Sequence, residues 1–150
     1  MKKLKGIGLL ELMLALAIIS VLLVAATRYF ASTDSSRKVN DAASMLQAAI
    51  NASEDVRTSD NNYSAIESIE TLRLRGLVPD SWTVSSTLNP WGGGINVVGK
   101  KHADYVTLIL SNIPQVDCQA LIDIMIKKRV RNGNCTGETD IKSYAGDYSS

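Results

Sequence analysis

Hydrophobic positions are distributed very unevenly along the chain. Ile7 to Ala26 reads IGLLELMLALAIISVLLVAA, a run broken only by one carboxylate, Glu11, and one hydroxyl, Ser20. At 1.5 Å per residue, a helix of that length spans about 30 Å, the thickness of a bilayer core. Past it, Val39, Ala42, Ala43, Leu46, Ala49 and Ile50 recur at three- and four-residue spacing, the pattern of an amphipathic helix. No Gly or Pro interrupts Leu9 to Val56. The pattern predicts one helix from Ile7 to Arg57, about 75 Å long at that rise. The polar run Thr58-Ser59-Asp60-Asn61-Asn62 ends it. A break near Thr33-Asp34-Ser35-Ser36 would instead give two helices.

The remainder alternates short elements with turn signals. Ser64 to Arg75 is expected to form a short helix with Ile66, Ile69, Leu72 and Leu74 inward, Gly76 as its C-cap and Pro79 as its stop. Ser81 to Ser85, Ile95 to Val98 and Tyr105 to Leu110 read as strands, the last two paired through a loop at Gly99 to Asp104. Asn89-Pro90-Trp91-Gly92-Gly93-Gly94 is turn-rich. Pro114 opens a further helix with Cys118, Leu121, Ile122 and Met125 on one face, followed by Lys127-Lys128-Arg129 and Arg131. The tail from Asn132 to Ser150 is polar, with one strand expected near Ile141 to Tyr144.

Composition narrows the function. The chain has 150 residues, 21% charged and 45% hydrophobic, with a formal net charge of +1. That is one domain's worth of chain, neither charge-dominated nor strongly basic or acidic. Two cysteines and one histidine exclude most Cys/His metal centres and any scheme needing two histidines. His102 stands alone in a loop, and no nucleophile–base pair, phosphate loop or carboxylate pair in a catalytic frame is found. The expectation is no enzyme, no metal and no cofactor.

Charge orients the apolar segment. Lys2, Lys3 and Lys5 precede it with no acid among them, which places the N-terminus in the cytoplasm and everything after Arg28 outside. Three readings compete: a secretory signal peptide cut after Val24-Ala25-Ala26, a plain membrane anchor, and a span that retains Glu11 for a reason. Glu11 distinguishes them. A carboxylate in hydrocarbon costs a few kcal/mol unless it is neutralised or paired. No Lys or Arg lies within one turn of it inside the span, so a partner from another chain is the natural inference.

Lys5-Gly6 followed by Ile7-Gly8-Leu9-Leu10-Glu11-Leu12 and an unbroken apolar run resembles the type IV pilins and their pseudopilin relatives. The resemblance covers about the first 25 residues. It implies that residues 1–6 are a leader, cut after Gly6 by prepilin peptidase. It also implies that Ile7 becomes the N-methylated first residue and that Glu11 is the family's signature acid. Residues 7–26 would then be the transmembrane and filament-core half of the helix, and 27–150 the exported globular domain. The implied fold is α+β: a long N-terminal helix packed on a small antiparallel sheet, with a disulfide-closed C-terminal region. Once exported, Cys118 and Cys135 are expected to oxidise, and closing that loop is worth about 3 kcal/mol. The pair and the Asn-Pro-Trp-Gly-Gly stretch resemble the type IVb class, whereas the six-residue leader is shorter than usual there.

The expected function is that of a structural subunit. It is held in the bacterial inner membrane, processed, and moved by inner-membrane assembly machinery into a helical homopolymer on the cell surface. A pseudopilin of a secretion machine and a minor pilin with a role in adhesion or DNA uptake are the alternatives. The basic run Lys127 to Arg131 is expected to be a solvated helix end rather than a nucleic-acid site. Trp91 is expected to be a buried anchor more readily than an exposed subunit contact.

Overall fold

The computed structural model describes residues 8–57, 62–84, 89–99, 104–137 and 141–149. It divides into two units between Ser35 and Ser36. In the first, the described residues form a single run of helix, and every residue from Gly8 to Ser32 is exposed. That run begins α1 (Leu9–Val56), a helix of 48 residues that continues without a break past Thr33 to Ser36. Ser20 and Thr33 donate to the carbonyls of Leu16 and Tyr29 four residues back, and Thr27 to that of Val24. Hydroxyls satisfied in this way do not break a helix and need no water.

The second unit holds the core. All six apolar positions expected to face inward from α1 (Val39, Ala42, Ala43, Leu46, Ala49 and Ile50) are buried, joined by Ala52, Ser53 and Val56. Four of the nine are alanines, so the helix backbone can lie close to what it covers. They share one cluster with Ile95 and Val97 of β1 (Ile95–Gly99) and with Val106, Leu108 and Leu110 of β2 (Tyr105–Pro114). On both strands alternate residues are buried, as a sheet covered on one face requires. Behind β2, α3 (Gln115–Ile126) buries Cys118, Leu121, Ile122 and Met125, the face anticipated from spacing. Pro114 sits at its N-cap position without a side-chain cap bond.

The helix expected at Ser64 to Arg75 is shorter. α2 spans Ile69–Leu74, and Ser68 caps it by accepting from the Glu70 amide. The six residues before Ile69 are turn, because they cover the edge of β1 instead. The Gly99 amide donates to the Ile66 carbonyl at 2.8 Å, and the Asn96 side chain accepts from the Ile69 amide at 3.1 Å. The two backbones meet so closely that a Cβ on Gly99 would run into the Tyr63 carbonyl. Gly76, with φ 70°, closes α2: its amide donates to Arg73, and Leu77's to Leu72, a Schellman motif. Leu74 faces solvent at 78% exposure, against the inward expectation, because six residues make fewer than two turns and only Ile69 and Leu72 reach the core.

The tail is where the fold departs most from expectation. In place of one short strand there are two, β3 (Val130–Thr136) and β4 (Ile141–Ser149). The sheet order is β1-β2-β4-β3, antiparallel throughout, so β4 is an interior strand between β2 and β3. Conversely, Ser81 to Val84, read as a weak strand, is turn and bend, and Ser85 lies outside the described residues.

A polar clasp holds β4 against the last turn of α1. Glu54 accepts from the Tyr63 hydroxyl at 2.5 Å, lies 3.6 Å from Arg57 and hydrogen-bonds Tyr148. Burial, and then the Glu54 carboxylate, push the Tyr148 phenol above its ordinary 10.0, while Arg129 and Arg57 pull it the other way. A phenol whose folded pKa is raised contributes stability that is complete below pH 10.0 and is lost as pH climbs through the folded value. The urea midpoint should therefore fall on the alkaline side of pH 10.0, and Tyr148→Phe should flatten that fall.

Candidate functional site

Two regions carry the features singled out in the sequence. The first is the exposed start of α1. Glu11 lies in its first turn, where the free amides favour an acid. It is exposed, surrounded by Leu9, Leu10, Leu12, Met13 and Leu14, and has no side-chain partner among the described residues. The helix is long and apolar enough to cross a membrane, and none of its most apolar window is buried within the chain. Ser20, the other polar group of that window, is already satisfied by Leu16. Glu11 is therefore the one group in the window whose polar demand the helix itself leaves open. Residues 1–7, Gly6 and Ile7 among them, lie outside the described residues.

The second region is the C-terminal half of the sheet. Cys118 on α3 and Cys135 on β3 form a disulfide across 17 residues, with Cα atoms 6.2 Å apart. Cys118 is fully buried and Cys135 half-buried, so the bond ties the outer strand of the sheet to the core.

The Asn-Pro-Trp-Gly-Gly-Gly segment is organised by Asn89, a buried amide with every polar atom used. Its Nδ2 donates to the Ser111 carbonyl at 2.6 Å, and its Oδ1 accepts from the amides of Trp91 and Gly93. Ser111 and Asn112 form a bulge in β2, with Asn112 at φ 62° and its Nδ2 on the Trp91 carbonyl. Trp91 is half-buried, and its indole N–H donates to the buried Asp117 carboxylate at 2.8 Å. It is thus an anchor for the loop, as expected, though not a fully enclosed one. Trp91→Phe keeps a smaller aromatic ring but removes a donor to a buried acid. It should cost about 1–3 kcal/mol in urea unfolding.

The remaining candidates do not assemble into a site. Lys127, Lys128, Arg129 and Arg131 are all exposed, the first three forming the turn after α3. His102 lies outside the described residues. No group of three or more metal-ligating side chains occurs among the described residues.

Comparison with known proteins agrees with both regions. The prokaryotic N-terminal methylation motif matches residues 1–27, and a model of the PilS N-terminal family matches residues 36–145. The "Major structural subunit of bundle-forming pilus" of Escherichia coli O127:H6 (strain E2348/69 / EPEC) is 25% identical over 147 residues, covering 93% of this chain and 76% of that protein. No solved structure matches. An exposed apolar helix bearing the methylation motif, continuous with a stapled α+β domain, defines a type IV pilin, a structural pilus subunit held in a membrane before assembly and extracellular afterwards. More particularly, the chain belongs to the PilS N-terminal family.

Proposed function

We propose that prepilin peptidase cuts this chain between Gly6 and Ile7, that the Ile7 amine is then methylated, and that Glu11 of each subunit pairs with the Ile7 ammonium of a neighbour. The observation that carries this reading is Glu11 itself, without a side-chain partner among the described residues in the first turn of an exposed apolar helix. The new ammonium would lie one turn before it. In a bundle of such helices the pair offsets the burial of both charges, and a mis-set helix would leave one of them uncompensated in hydrocarbon. The bilayer and the filament core thus bury the same apolar face in turn.

In this reading residues 1–6 are the leader, 7–26 span the membrane and line the filament core, and 27–150 form the outer domain. Loss of Lys2, Lys3 and Lys5 leaves 13 basic against 15 acidic residues. The chain is a substrate of the peptidase and of the inner-membrane assembly machinery, and performs no catalysis of its own. Its likeness to the major subunit of a bundle-forming pilus, together with the disulfide, favours a major type IVb-like subunit over a pseudopilin or a minor, adhesive or DNA-binding pilin.

The test is the intact mass and N-terminal sequence of the mature protein, without reduction. The expected result is a start at N-methylated Ile7 and a mass short by the two hydrogens of the disulfide. A start at Thr27 would mean ordinary secretion and would end the Glu11 mechanism.

A further inference from the structure

β3 carries a feature that assembly does not use. Its pairing with β4 slips between Arg131 and Asn134, so Asn132 and Gly133 stand in a bulge outside the ladder. Asn132 holds φ 54°, and its side chain makes no hydrogen bond among the described residues. Most other described asparagines are held. Asn89 and Asn112 fix the loop before β1, Asn96 accepts from two amides, Asn62 caps Ser64 and Asn51 pairs with Gln47. Asn132-Gly133 is also the only Asn-Gly pair in the sequence.

We propose that Asn132 is a site of spontaneous deamidation in the folded protein. The Gly133 amide nitrogen attacks the Asn132 side-chain carbonyl carbon, forming the new C–N bond of a succinimide. The side-chain nitrogen leaves as ammonia, carrying the proton lost from the Gly133 amide. Water then opens the ring at either carbonyl, giving aspartate or isoaspartate, with no oxidant or other reagent. Three features favour the step here. Gly133 has no Cβ to obstruct the approach. Among the described residues, no hydrogen bond to the Asn132 side-chain amide has to be broken. The rotation that brings the two atoms together falls within the bulge, between the pairs Arg131–Asp147 and Asn134–Ala145, which can stay formed.

The product would alter a specific place on the surface. Asn132 lines an open polar cavity of about 200 Å³ with Asp104, Tyr105, Arg131 and Asp147. Deamidation there sets three carboxylates against one guanidinium. Isoaspartate would in addition lengthen the backbone of β3 three residues before Cys135. The modified fraction would grow with the time a subunit has spent folded.

The experiment incubates the oxidised full chain in detergent in ¹⁸O-water at mildly alkaline pH, then maps its peptides by mass spectrometry. Asn132→Asp serves as the chromatographic standard, and Gly133→Ala and the urea-unfolded chain run in parallel. The expected result is loss of the Asn132 amide in the folded chain, ¹⁸O in both aspartate and isoaspartate products, slower loss in Gly133→Ala, and retention of Asn40 and Asn134. Persistence of Asn132 in the folded chain overturns the proposal, whatever the unfolded chain does. Equal loss at all three asparagines, or undiminished loss in Gly133→Ala, does so too. None of these outcomes depends on where the leader is cut.

Discussion

Glu11→Gln should leave a chain that is processed and held in the membrane but builds no filaments. The substitution keeps the size and removes the charge. A neutral amide is easier to place in hydrocarbon than a carboxylate, so insertion should not suffer. On the proposed pairing, what would be lost is the attraction to a neighbour's ammonium, and with it the penalty on wrong axial registers. The ammonium also becomes a buried charge without a partner, which costs about 3–5 kcal/mol when one member of a buried pair is removed. Multiplied along a helical polymer, a cost of that size per subunit abolishes growth. Immunoblots of membranes and of sheared cell-surface material separate the two pools: mature protein should remain in the first and vanish from the second. Wild-type amounts of sheared filament would show that Glu11 pairs with nothing.

Replacing both cysteines, Cys118→Ser with Cys135→Ser, should lower stability by about 3 kcal/mol. Domains of this kind are stable by only about 5–15 kcal/mol in total, so the loss is a large fraction. Its location matters as much as its size. β3 is an outer strand whose only buried residue is Val130, so little else holds its far end to α3. Freed at Cys135, it should fray from β4 first. The measurements are a urea midpoint and amide hydrogen exchange, with the new exchange concentrated in β3 and then β4. An unchanged midpoint, or exchange spread evenly over the sheet, would mean that the bond is ornamental.

How much of this was legible in the sequence depends on the range over which each element is decided. α1 is decided locally: its uninterrupted run, its apolar half and the six inward positions of its second half follow from spacing alone, and the structure keeps them all. The face of α3 follows by the same logic. The helix expected from Ser64 starts only at Ile69, because Ser64 to Ser68 has helical spacing yet is claimed by β1 through Gly99 and Asn96, about thirty residues away in sequence. The strand expected near Ile141 to Tyr144 is the start of β4, but β3 and the rest of β4 do not show in the sequence, for a stronger reason. From Asn132 on the tail is polar and carries Gly133 and Gly146, a composition that disfavours strands. In the fold, Gly146 lies opposite Leu108, and Asp147 accepts from Thr107 at 2.7 Å. Their strand character comes from partners, not from their own propensity. Of the candidate site, Glu11 stood out because it is the one charge in an apolar run. Trp91 is legible as an anchor, but its partner is not, since nothing local connects it to Asp117, and neither is the role of Asn89.

The placement of β4 bears on the order of events during export. β4 follows every other described element in the chain, yet it lies between β2 and β3. While residues up to Thr136 emerge outside the membrane, β2 and β3 have no strand to share, and β3 is attached to the core by Val130 at its start and by the Cys118–Cys135 bond near its end. Oxidation can therefore precede completion of the sheet, holding open the slot that the last strand fills. Until Ser149 has crossed, the subunit exposes two unpaired strand edges, a hazard for chains crowded on one membrane face. Slowing translocation should thus increase misassembled dimers, because it prolongs the time during which the edges that β4 will cover stand open.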